Sequence, residues 1–140
     1  MRLPLHHVLV IDDDPSHLEI YRMLLEGAGY EPETALVRFT GVDFSPAADV
    51  EAIILDHRVN SLSTPVELAR EIHERYPRAP ILLLSDVWNL PTDVAPYVAD
   101  FVRRGEPAQM LQKLTILLSK CDVGKGNLPA GLAACGPITA

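Results

Sequence analysis

Cysteine is nearly missing from this chain of 140 residues; Cys121 and Cys135 are the only two, both in the C-terminal stretch. A disulfide framework is therefore excluded as the basis of the fold, and two thiols are too few for a cysteine metal site. Long apolar runs are missing as well. No segment of the sequence approaches the roughly 18–20 apolar residues of a membrane span. The N-terminal MRLPLHHVLV has neither the long apolar core nor the cleavage site of a signal peptide. Nor is there an excess of basic residues: 12 Lys and Arg face 19 Asp and Glu, a net charge of −7. Binding to phosphate backbones needs a basic face, so a nucleic-acid partner is not expected. Gly124-Lys125-Gly126 is not a P-loop, because the preceding glycine spacing and the following Ser or Thr are absent. The expectation is a cytoplasmic protein without a membrane or nucleic-acid partner.

What is present has the composition of a globular domain, 48% apolar and 22% charged. The length allows one domain, expected over residues 1–120. From Cys121 onward glycine, proline and alanine dominate, and 121–140 is expected to be a mobile tail.

Apolar blocks recur at Val8 to Ile11, Ala52 to Leu55, Ile81 to Leu84 and, more briefly, Phe101-Val102. Each is continuous rather than alternating, as in strands buried on both faces of a parallel sheet. Helical segments lie between them. Asp14-Pro15 is a cap followed by a first-turn proline, after which Leu18, Tyr21, Leu25 and Ala28 share a face up to Gly29. Thr64-Pro65-Val66-Glu67 has capping-box spacing, with Val66, Ala69, Ile72 and Tyr76 as the apolar stripe and Pro77 as the stop. The last helix starts at Pro107, with Met110, Leu114 and Leu117 inward. Alternating strand and helix predicts a doubly wound α/β fold. Tyr30 to Ala35 reads as a strand that Pro32 confines to an edge, and Leu36 to Val50 holds at most a short helix.

The chemistry collects at strand ends. The first block runs into Asp12-Asp13-Asp14, the second into Asp56 and the third into Ser85, and Arg104 follows the fourth. In an open parallel sheet the ligand crevice lies beyond the carboxyl ends of the strands. Neighbouring first and third strands would bring Asp12, Asp13 and Asp56 together there. Such carboxylates repel unless a cation joins them, and oxygen-only ligands with room for water suit Mg²⁺. A cation beside a carboxylate screens an incoming phosphate, so that an Asp oxygen can attack it in line and form an acyl phosphate. Ser85 and Arg104 are placed to hold the transferred oxygens. An acid at a strand end is often only a helix cap, as Asp14 is expected to be. Acids at two strand ends, a hydroxyl at the next and a cation after the fourth carry more weight. His57 is expected to turn away from Asp56 by strand alternation, and His6, His7, His17 and His73 lack a shared metal-ligand spacing.

VLVIDDDPSHLEIYRMLLEGAGY resembles the opening of a response regulator receiver domain, and AIILDHR resembles its phosphorylation site. The resemblance covers about His7 to Lys120. It implies a flavodoxin-like sheet of five parallel strands in the order 2-1-3-4-5, with helices on both faces. It further implies that Asp56 is the phosphoacceptor, and that Asp13 and Asp56 bind Mg²⁺ with the backbone carbonyl of Arg58, Asp12 acting through water. Ser85 and Phe101 would form the switch pair. The partners implied are a sensor histidine kinase or phosphotransfer protein and an output protein met by direct contact.

Several positions depart from that pattern. Arg104-Gly105 stands where the family has lysine and proline, and Arg is not a compact ammonium. Val59-Asn60 replaces a Met-Pro step, and Asp86 replaces a small residue after the switch hydroxyl. A carboxylate about 5 Å from the phosphoryl group at an effective dielectric of about 20 would cost roughly 3 kcal/mol before screening. The alternative is a degenerate receiver that binds a partner independently of phosphorylation. Asp12-Asp13-Asp14-Pro15-Ser16 also fits the DxDx(S/T) opening of haloacid dehalogenase-type phosphatases, but the later acidic pair of those enzymes is missing. A signalling module rather than an enzyme is expected.

Overall fold

The computed structural model describes residues 6–44, 49–57, 64–86 and 92–127, with side chains described up to residue 119. The elements are β1 (His7–Asp12), α1 (Pro15–Gly27), β2 (Glu31–Arg38), β3 (Gly41–Val42), β4 (Ala52–Asp56), α2 (Pro65–Arg75), β5 (Ile81–Ser85), a 3₁₀ turn (Ala95–Tyr97), β6 (Asp100–Arg103) and α3 (Pro107–Asn127). They build one sheet in the order β3-β2-β1-β4-β5-β6. All neighbours run parallel except β2 and β3, whose Val37 and Arg38 pair antiparallel with Val42 and Gly41.

The expected five parallel strands and their order are therefore present, with a short sixth strand beyond the second. Leu36 to Val42, read as helix-poor, continues β2 and turns back on itself. Among the described residues no helix joins β3 to β4. Pro32 is tolerated because the hairpin strand covers only the far end of β2.

The continuous apolar blocks are explained by the pleat, which sends alternate residues to opposite faces. Leu9, Ile11, Ile53, Leu55, Ile81 and Leu83 face α2, where Leu68, Ala69 and Ile72 close one core. Val8, Val10, Ala52, Ile54, Leu82 and Leu84 face α1 and α3, where Leu18, Leu25, Met110 and Leu114 close the other. Helices thus cover both faces. Leu118 rather than Leu117 takes the fully buried place on α3.

Helix starts follow their caps. Asp14 accepts a hydrogen bond from Ser16 N–H at 2.8 Å, and Pro15 opens α1. Thr64 and Glu67 exchange the reciprocal bonds of a capping box at 2.8 and 3.2 Å. At the other end, α3 continues through residues 121–127, inside the stretch expected to be a tail. Residues 128–140, Arg58 and Val59-Asn60 lie outside the described residues.

Candidate functional site at the strand ends

Because β1 and β4 are neighbours in parallel register, their last residues meet at one end of the sheet. Asp12 and Asp56 are 1% and 2% exposed there, and Ser85, ending β5 beside them, is 0% exposed. Burying two carboxylates side by side is costly, and three local arrangements offset the cost. The N–H groups of Asp13 and Asp14 donate to Asp12 Oδ1 at 2.7 and 3.2 Å. His17 Nδ1 lies 3.2 Å from Asp12 Oδ2. Arg104 donates from Nη2 to Asp56 Oδ1 across the crevice.

Arg104 is aimed by its backbone. Its N–H donates to the Ser85 carbonyl at 2.8 Å, extending the β5–β6 ladder by one residue. Gly105 then turns the chain at φ 86°, a left-handed conformation that proline cannot adopt and other residues rarely do. Arg-Gly therefore makes its own turn where a Lys-Pro step was the family expectation. Arg104 Nε also lies 3.2 Å from Asp86 Oδ1, as an ion pair without hydrogen-bond alignment. Asp86 thus faces the guanidinium, so its charge is partly neutralised rather than presented bare to the crevice.

The electrostatics record the crowding. Asp12 is pushed up from 3.8 to about 7, first by burial, then by the negative charge of Asp56 and by hydrogen bonds with Asp13 and Asp56. The Tyr21 phenol on α1 is also pushed up, mainly by burial and then by Asp56 and Asp12.

Among the described residues, the group whose ligand atoms all lie within 4.8 Å of one another is Asp12, His17 and Asp56. Two buried carboxylates and an imidazole fit a divalent cation. Asp13, expected as a direct ligand, is not in that group, and Arg58 lies outside the described residues. His17, which has no metal-ligand spacing in the sequence, joins the two carboxylates here. It lies three residues after the cap Asp14, in the first turn of the helix that opens at the crevice.

Phe101 sits two residues back from the site on β6, half-buried against the α2-side core. Lys113 on α3 lies 5.4 Å from its ring centroid and donates to its carbonyl at 2.8 Å and to Asp100 Oδ1 at 3.1 Å. Beside the crevice, His17, Tyr21, Leu84, Arg103 and Met110 line a cleft of about 160 Å³ between α1 and the start of α3. Among the described residues no helix is long and apolar enough to cross a membrane.

No family model matches the chain. It is 29% identical over 89 residues to the transcriptional regulatory protein GlrR of Escherichia coli K12, an alignment covering 64% of this chain and 20% of that protein. The chain thus spans about a fifth of the length of the curated relatives it matches, QseF of Escherichia coli O157:H7 among them. Its fold is similar to the chemotaxis response regulator CheY4 of Vibrio cholerae, with a TM-score of 0.67 at 21% identity over 81% of this chain and 98% of that one. A receiver domain from Clostridium thermocellum gives a TM-score of 0.70 at 19% identity over 85% and 98%. These similarities show one thing about the chain, its fold: that of response regulator receiver domains.

Proposed function

We propose that this chain, having the receiver fold, is a phosphoryl-accepting module of a two-component pathway, and that Asp56 is the acceptor. The observation that carries the reading is the junction at the strand ends, where buried Asp56 lies beside buried Asp12 and under the guanidinium of Arg104. An Asp56 oxygen attacks the phosphorus of a phosphohistidine in line. The new O–P bond replaces the P–N bond, and the departing imidazole of the donor takes up a proton. A divalent cation, Mg²⁺ in the simplest case, would be held by Asp12 and Asp56 with Asp13 alongside; it supplies charge neutralisation for the incoming phosphoryl oxygens.

Arg104 moves from the carboxylate to the transferred oxygens, and Ser85 offers its hydroxyl to the same group. Phe101 responds through β6, so that the output is a changed surface around β6 and α3 met by another protein. A sensor histidine kinase or phosphotransfer protein is the donor, and the module acts in the cytoplasm without catalysing turnover of its own.

Incubation with Mg²⁺ and a small phosphodonor, read by intact mass, tests this. The parent gains one phosphoryl group and Asp56→Asn gains none, since the amide keeps the shape and loses the nucleophile. Labelling of both proteins alike would refute the assignment. One observation favours a second reading, a receiver that works by binding alone: Arg104 already pairs with the acceptor oxygen. A parent that binds Mg²⁺ yet never labels would select it.

A further inference from the structure

We infer that His17 is a metal ligand, and that Asp12, His17 and Asp56 form a mixed nitrogen-oxygen site selecting a borderline divalent metal of the Co²⁺ and Zn²⁺ class over Mg²⁺. The inference rests on the reading of the crevice as the cation site of a receiver, and it changes which cation that site prefers.

Two features support His17 in this role. The first is spacing. Metal–ligand bonds of about 2.0–2.2 Å, at tetrahedral or octahedral angles, set neighbouring ligand atoms about 2.9–3.5 Å apart. His17 Nδ1 and Asp12 Oδ2 stand 3.2 Å apart, along one edge of such a polyhedron. The donor atoms of all three residues fall within 4.8 Å of one another, wider than such an edge, so binding one ion would draw the three side chains inward.

The second is the far side of the ring. A ligating imidazole must be neutral with its proton on the other nitrogen, and a carboxylate there fixes the tautomer and raises basicity. His17 Nε2 lies 3.6 Å from Asp14 Oδ2. Asp14 is held in turn as the cap of α1, its Oδ1 accepting from Ser16 N–H at 2.8 Å. At 3.6 Å the pair is just beyond hydrogen-bond length, and a small turn of the ring on metal binding would bring Nε2–H onto the cap carboxylate. Mg²⁺ gains little from a nitrogen donor, because it takes oxygen ligands and keeps its waters. Imidazole suits the later divalent ions, whose affinity for such sites rises from Mn²⁺ towards Cu²⁺.

Co²⁺ is the probe, since its visible absorption reports the ligand set directly. The metal-stripped full chain is titrated with Co²⁺, and separately with Mg²⁺, alongside His17→Gln and Asp14→Ser; the serine keeps a cap but removes the carboxylate from Nε2. Expected is one Co²⁺ per chain, bound at least tenfold more tightly than Mg²⁺. His17→Gln should weaken Co²⁺ tenfold or more and Mg²⁺ less than twofold, with Asp14→Ser intermediate. Co²⁺ binding no tighter than Mg²⁺, or unaffected by His17→Gln, or equal losses for both cations, would overturn the inference. Phosphodonor labelling run in parallel separates the two readings. Labelling with Mg²⁺ but no role for His17 in Co²⁺ binding sinks the inference and leaves the receiver function. His17-dependent Co²⁺ binding without labelling does the reverse.

Discussion

Replacing Asp12 with asparagine should make the metal-free protein more stable at alkaline pH and remove most of its loss of stability above pH 5. Asp12 is buried against Asp56, and its carboxyl is pushed up from 3.8 to about 7. Between those values the fold holds a proton that the unfolded chain has released, so stability falls as pH rises through the window and levels off above it. The interval between 3.8 and about 7, at about 1.4 kcal/mol per pH unit, sets a ceiling of roughly 4 kcal/mol. Most of the interval from pH 5 to pH 8 lies within the window, which gives a loss of about 2–3 kcal/mol for the parent. Asparagine keeps the oxygen that accepts from the Asp13 and Asp14 N–H groups and has no proton to lose. Urea unfolding with a chelator present, at pH 5 and pH 8, measures the difference. Saturating Mg²⁺ at pH 8 should restore the parent and not the variant; a hundredfold excess over Kd corresponds to about 2.7 kcal/mol. Equal pH slopes in parent and variant would refute the reasoning.

Thr64→Ala should cost about 1 kcal/mol in thermal unfolding, since it removes half of the capping box of α2. The Thr64 backbone N–H holds the Glu67 carboxyl below its usual range, and alanine keeps that N–H, so most of the stability lost as pH falls below 4.5 should be common to parent and variant. Asp86→Ala leaves Arg104 to the crevice alone and removes an anion from the edge of the phosphoryl position. The labelled fraction at equilibrium should rise severalfold by intact mass, and an unchanged fraction would show that Asp86 acts only on the guanidinium.

The sheet was legible because buried parallel strands leave unbroken apolar runs, and the run of Asp12 to Asp14 marks where the first of them ends. The second strand was underread. Its burial alternates weakly, and the turn at Phe39-Thr40 lacks the Asn-Gly or Gly-Gly signal of a tight hairpin. Asp12, Asp56, Ser85 and Arg104 could be placed from strand ends alone, because topology brings strand ends together whatever the loops do. His17 could not be ranked above the other histidines by spacing. Its meeting with Asp12 spans a strand end and a helical turn, a relation without fixed sequence period. Asp86 was read as a charge aimed at the site because its pairing with Arg104 depends on the direction of a long flexible side chain.

The small hairpin strand has a consequence for self-association. A parallel sheet ends in unpaired backbone groups, which invite a second chain to add itself. Here β3 occupies the outer side of β2 at Val37 and Arg38, while Glu31, Pro32 and Glu33 guard the rest with charge and a missing N–H. The opposite border, β6, is four residues long and carries Asp100 and Arg103. Among the described residues neither border offers a long flat apolar template, which disfavours joining of two copies through shared strands.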